Sequence, residues 1–167
     1  MKPRVSVNFY TSTHIMTNNL NKIERLWNRM IVFWSGSKLT HCSIRLETED
    51  DDISLFLMYR RAAELLPTKT LDRFVGGTPD YVFEIGELDF DLTKVERLIK
   101  GDYRVTPAAV LLWFFVTRPF CNWKPKTCAT SVCEMLRAGG LDVGMHVAPV
   151  ALFKELKNEF NYDSRKS

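Results

Sequence analysis

No apolar run in this sequence is longer than nine residues. The longest, Ala108–Val116, is too short for a bilayer-spanning helix, which needs about 20 residues, so no transmembrane segment is expected. A buried helix is its plain reading, and a peripheral membrane contact the less ordinary one. The start of the chain has no apolar leader. Met1–Tyr10 instead alternates Val5, Val7 and Phe9 in the manner of a strand, and with no secretory signal the expected location is cytoplasmic. Cysteine is sparse and scattered at Cys42, Cys121, Cys128 and Cys133. Without a signal these read as reduced thiols rather than a disulfide framework, and the 121/128/133 spacing does not suggest a zinc site, so no metal is expected. Histidine is scarcer still, which limits candidate imidazole bases to His14, His41 and His146. No strong charge excess exists either, since the net charge is +3. Residues 1–45 hold seven Lys/Arg against one Glu, residues 46–102 seven against fourteen acids, and residues 103–167 nine against five. Nothing there forms a basic stripe, so no specific nucleic-acid partner is expected.

What is present suits one folded unit. The chain has no repeat, low-complexity stretch or linker, and its 46% hydrophobic content suffices for one core. A single domain over 1–162 with a frayed polar tail at 163–167 is expected. Strands are expected over Arg4–Thr11, Thr40–Glu47, Ile53–Arg60 and Tyr81–Ile85, with the run Glu49-Asp50-Asp51-Asp52 as a solvated turn. Helical spacing marks Leu20–Trp34, ended by Ser35-Gly36-Ser37, and a short helix over Leu92–Ile99 behind Asp91. Pro67 and Leu71–Phe74 read as an irregular connection. Helices over Thr127–Ala138, stopped by Gly139-Gly140, and from Pro149 through Phe160 complete an α+β pattern of antiparallel sheet packed on helices.

The segment from Lys126 to Leu141 is the most informative. Cys128 falls in the first turn of an amphipathic helix whose apolar positions include Val132, Met135 and Leu136. A thiol there meets the positive end of the helix dipole and unpaired backbone N–H groups, which favour thiolate. Cys133, deeper on the same helix, reads as a packing residue. His41, at the start of a strand, supplies the base that such a thiol requires. His14 lies in a polar segment and His146 in a loop, and both read as surface residues.

With these residues in order, the chain resembles the circularly permuted branch of the NlpC/P60 papain-like superfamily, which includes lecithin:retinol acyltransferase-like, YiiX-like, viral and phage proteins. The resemblance covers about Arg4 to Leu156. Ser37-Lys38-Leu39-Thr40-His41-Cys42-Ser43-Ile44 is similar to the family's Ser-His-Val-Gly-Ile strand. Cys128 through Leu141 is similar to its Cys-led helix, Pro149-Val150-Ala151-Leu152 to its proline-led closing helix, and Leu71-Asp72-Arg73-Phe74 to its Pro-Leu-Asp-x-Phe connection. The chain departs from the pattern at two places. Ser43 stands where the family usually has glycine. Phe56 stands where the family carries a polar residue that orients the imidazole, and phenylalanine cannot accept its N–H. Ser54, Tyr59 or a main-chain carbonyl are the substitutes open to it.

The resemblance implies a cysteine-dependent hydrolase or acyltransferase, with Cys128 as nucleophile, His41 as base and a thioester intermediate. No organic or metal cofactor is implied. The substrate would be a peptide, an amide or a lipid ester, and a viral member would work in host cytoplasm or the virion. The alternative is a catalytically weak or inactive binding protein on the same fold, with Trp113, Phe114 and Phe115 contacting a partner.

Overall fold

The computed structural model describes residues 2–11, 22–56, 64–75, 77–90, 93, 95, 97, 125–160 and 162–164. The strands are β1 (Arg4–Thr11), β2 (Leu39–Glu47), β3 (Asp52–Phe56), β4 (Glu64–Pro67), β5 (Tyr81–Glu87) and β6 (Tyr162–Ser164). The helices are α1 (Lys22–Ser35), α2 (Thr68–Val75), α3 (Cys128–Ala138) and α4 (Pro149–Glu159). All strand pairs are antiparallel, in the order β4-β3-β2-β1-β5-β6. The protein is therefore α+β.

Side-chain alternation divides this sheet into two unlike faces. Val5, Val7 and Phe9 on β1 lie opposite Leu46, Ile44 and Cys42 on β2, and Leu55 and Phe83 extend the same apolar layer. The buried stripes of α3 (Ala129, Val132, Cys133, Met135, Leu136) and α4 (Leu152, Leu156) close over it. Phe9, Phe83 and Phe153 meet edge to face, with ring centroids 5.2–5.6 Å apart. The opposite face carries Ser6, Asn8 and Tyr10 on β1, His41 and Ser43 on β2 and Ser54 on β3, all buried. Further along it, Arg45 grips Asp52 with two hydrogen bonds of 2.7 and 2.9 Å. Asp52 also accepts from Thr68 at 2.6 Å, and the Thr68 and Ser54 hydroxyls are 3.0 Å apart.

Helix ends follow their capping residues. Gly36, at φ +61, follows α1, in the left-handed region that glycine enters without a Cβ clash. Gly140 has φ +89 and donates to the Arg137 carbonyl at 3.0 Å, while Leu141 reaches back to Leu136 at 3.0 Å. That pair of bonds is a Schellman stop.

Two segments depart from expectation. The connection read as irregular around Pro67 and Leu71–Phe74 is strand β4 running directly into α2. Pro67 is tolerated because β4 is the sheet's edge, where a missing N–H breaks no further ladder. The tail expected to fray from residue 163 instead enters β6, with Asp163 opposite Val82 and Ser164 opposite Tyr81. An edge strand is held by main-chain bonds, so its side chains need no apolar pattern. Thr93, Val95 and Arg97 are helical, inside the expected Leu92–Ile99 helix. The apolar run Ala108–Val116 and the second half of the expected strand Ile53–Arg60 lie outside the described residues. Among the described residues, no helix is long and apolar enough to cross a membrane.

Phe9 is fully buried and touches two other rings. Phe9→Ala removes the ring's transfer energy and leaves a cavity, a loss of about 3–5 kcal/mol. A urea titration monitored by circular dichroism is expected to show that loss as a lower midpoint with little change in slope.

Candidate functional site

The α3 N-terminus is built by the residue before the cysteine. Thr127 is extended (φ −138, ψ 171) and serves as N-cap. Its hydroxyl accepts the Thr130 N–H at 3.2 Å, while the Thr130 hydroxyl accepts the Thr127 N–H at 2.7 Å. This reciprocal box satisfies two donors that a helix start leaves open. The Thr127 hydroxyl also donates to the Val147 carbonyl at 2.8 Å, which ties the helix start to the loop before α4. Cys128 is thereby fixed as the first helical residue, partly exposed, with its sulfur against the apolar layer of the sheet.

Two consecutive residues of β2 meet that sulfur. The buried Cys42 lies close enough for its thiol and main chain to lower the Cys128 thiol. The His41 imidazole contributes its charge and a side-chain hydrogen bond. Together these hold the Cys128 thiol well below the ordinary range, with Cys42 the largest influence and desolvation opposing it. Cys42 moves the other way: burial comes first, and the neighbouring Cys128 adds to it.

Neighbouring residues of a regular strand point to opposite faces, and Cys42, opposite Phe9, and His41, opposite Tyr10, follow that rule. The β1–β2 ladder becomes irregular just beyond His41. Tyr10 pairs with His41 but Thr11 pairs with Leu39, which leaves Thr40 as the extra residue of a bulge. Bulges bend a strand and increase its twist, and they recur beside functional sites for that reason.

Behind the imidazole stands Tyr10, with ring centroids 5.7 Å apart and planes inclined by 38°. Burial pushes the Tyr10 phenol well above its usual range, and the Asp72 carboxylate, which accepts from its hydroxyl at 3.5 Å, adds to the effect. Tyr10 therefore stays a neutral donor across the physiological range.

The structure thus brings together the two residues singled out from the sequence, Cys128 and His41. It adds Cys42, Tyr10 and Asp72, which sequence reasoning missed. Ser54, one candidate orienter of the imidazole, lies opposite Arg45 and bonds Thr68, so its hydroxyl is committed elsewhere. Phe56 pairs with Glu64 across β3–β4; its side chain, like all of Tyr59, lies outside the described residues. So do His14, Cys121, Trp113, Phe114 and Phe115. Cys133 is fully buried in the core, as a packing residue should be. His146 pairs with Glu155 on α4, whose carboxylate also accepts the Gly144 N–H at 2.9 Å. Among the described residues no group of three His, Cys, Asp or Glu side chains is placed to hold a metal ion. No family model, curated protein or solved structure matches the chain.

The depressed Cys128 titration has a direct readout. Thiolate, not thiol, reacts with iodoacetamide, so a lowered value keeps labelling fast to a lower pH. Cys128 should label well below pH 8, and Cys42→Ala should move the midpoint upward by removing the largest lowering influence. A wild-type midpoint at about 8.5, the free-cysteine value, would contradict the geometry. Thr127→Ala should cost about 1 kcal/mol of stability and slow the same reaction, because it loosens the cap that holds the sulfur in place.

Proposed function

We propose that the protein is a cysteine-dependent hydrolase or acyltransferase, with Cys128 as nucleophile and His41 as its base. One observation carries this reading: a partly exposed cysteine in the first turn of a helix, its thiol held well below the ordinary range beside Cys42 and His41.

In the proposed reaction the Cys128 sulfur attacks the carbonyl carbon of an amide or ester. The first backbone N–H groups of α3 have no intrahelical acceptor, apart from the one capped through Thr127, and they would face the oxyanion as it forms. His41, holding the proton, passes it to the departing amine or alcohol. The thioester is then cleaved by water, or by an acyl acceptor, with His41 taking that proton in turn. Tyr10 and Asp72 would take over the orienting work that a polar residue does in the permuted NlpC/P60 enzymes the chain resembles: a ring packed on the imidazole limits its rotation, and Asp72 holds the ring. A papain-like permuted architecture is consistent with the order of the His-bearing strand, the hairpin and the Cys-bearing helix. Peptide, glutamine-amide and lipid-ester substrates all fit this chemistry.

The test is activity profiling of the wild type and Cys128→Ala against those three panels, with hydroxylamine capture of the thioester. Cys128→Ala should fold normally, since alanine is the best helix former, and should show no turnover and no adduct. His41→Ala should lose about 10²–10⁴-fold in rate while its thiol can still be alkylated at high pH. If the wild type neither turns over any panel nor labels below pH 8, the fold serves as a binding protein instead.

A further inference from the structure

Among the described residues only two large apolar side chains are exposed, and both stand on α1: Leu26 is 59% exposed and Phe33 83%. A lone exposed apolar residue needs no explanation. These two are two helical turns apart and therefore share one face. At about 100° per residue, Arg29 lies about 40° from Phe33 on that face and Arg25 about 40° further round. Both arginines are exposed. Glu24, the one acid in Lys22–Ser35, takes a position about 160° from Leu26. Met30, Ile31 and Trp34 are half-buried, so the helix is seated on the protein by its other side, where it packs against β2.

We propose that this outer face of α1 docks on an anionic phospholipid membrane, with the helix lying in the interface plane, Leu26 and Phe33 inserted, and Arg25 and Arg29 among the headgroups.

Charge and length select that occupant. An apolar pair flanked by guanidinium groups, with no acid among them, complements a surface that is apolar within and negative at its rim. Lys38, exposed just past the helix end, adds a further cation. With 14 residues α1 is too short to span a bilayer, which takes about 20, so it can only lie flat. A second copy of the chain fits badly. A two-fold contact would set the patch against itself and bring Arg25 and Arg29 against like charges.

The end of the helix that bears Phe33 is fastened. The Ser35 hydroxyl donates to the Ser37 carbonyl at 3.2 Å, and the Ser37 N–H donates back to that hydroxyl at 3.3 Å. The Leu39 N–H then donates to the Ser37 hydroxyl at 3.1 Å. These bonds run from α1 to the first residue of β2, so the fold holds Phe33 outward and does not leave it on a loose end. The surface belongs to α1 and not to the Cys128 site, so Cys128→Ala should bind as the wild type does.

The experiment is co-sedimentation of the full chain with sucrose-loaded vesicles of phosphatidylcholine, with or without phosphatidylserine. Binding is expected to the mixed vesicles and not to phosphatidylcholine alone. It should weaken as salt rises from about 0.1 M to about 1 M, which cuts the screening length from about 10 Å to about 3 Å. Leu26→Ser combined with Phe33→Ser should lower partitioning about 10-fold or more, because two apolar side chains are withdrawn from the acyl boundary. Arg25→Gln combined with Arg29→Gln should lower it about 10-fold on the mixed vesicles. Phe33→Trp should keep the binding and gain a blue-shifted emission on vesicles, which reports insertion of that side chain even if a double variant fails to fold. The proposal is overturned if the wild type does not sediment with phosphatidylserine vesicles, if it does so and neither double variant changes the amount, or if the Phe33→Trp emission stays unshifted. It is also overturned if the wild type ignores vesicles and forms a dimer that Leu26→Ser with Phe33→Ser dissociates, since the face would then join two copies.

Discussion

A thiolate half inside a protein core must be supplied with donors, and the supply at Cys128 depends on how the first turn of α3 sits on β2. The sulfur has burial working against its charge. It keeps that charge through the Cys42 thiol, the His41 imidazole and a backbone N–H, all from one short stretch of strand. The apolar contacts of Val132, Met135 and Leu136 with the sheet are therefore more than stabilising; they hold the register in which the sulfur meets its donors.

The bulge at Thr40 is the complementary constraint on the strand side. The ladder is regular from Leu46 to His41, so Cys42 faces the core and His41 the polar face, and the unmatched residue falls just beyond His41. The polar face then supports the imidazole through Tyr10. That face is unusual, since Ser6, Asn8, Tyr10, His41, Ser43 and Ser54 are all buried on it. Burying such groups costs free energy unless they bond one another, and the Asp52, Thr68 and Ser54 contacts show how part of that cost is offset.

Much of this was legible in the chain itself. Period-two alternation set β1 and β2 within a residue, and the proline and paired glycines bounded α3 and α4 closely. Cys128 and His41 were also readable, one from its place in a first turn and the other from its strand. The misses share a cause, which is that tertiary pairing leaves no local pattern. β4 and β6 are edge strands held by backbone bonds, one containing a proline and the other following a polar helix end. Tyr10 and Asp72 are 62 residues apart and meet only when α2 docks beside the sheet. Cys42 had a weak signal: it begins the inward series Cys42, Ile44, Leu46, the series that faces the Cys128 helix. Strand alternation places it on the face opposite His41.

The site is also fastened from behind, through bonds that never touch the sulfur. Thr127 caps α3 and, with the same hydroxyl, holds the Val147 carbonyl. The loop carrying Val147 is fixed in turn to α4, where the Glu155 carboxylate takes the Gly144 N–H and pairs with His146. Partial burial would raise the Glu155 carboxyl, but the Gly144 and His146 bonds hold it below the usual range. Glu155 is thus charged wherever the protein is folded near neutrality, and the clamp does not depend on a narrow pH window. Loop, cap and helix start form one mechanical series, so the position of the Cys128 sulfur is set by α4 as well as by the sheet. A thiolate held between two packed layers needs both. The sheet alone would leave α3 free to tilt about its contact with β2, and the small displacement that follows would be enough to part the sulfur from the imidazole while leaving the core intact.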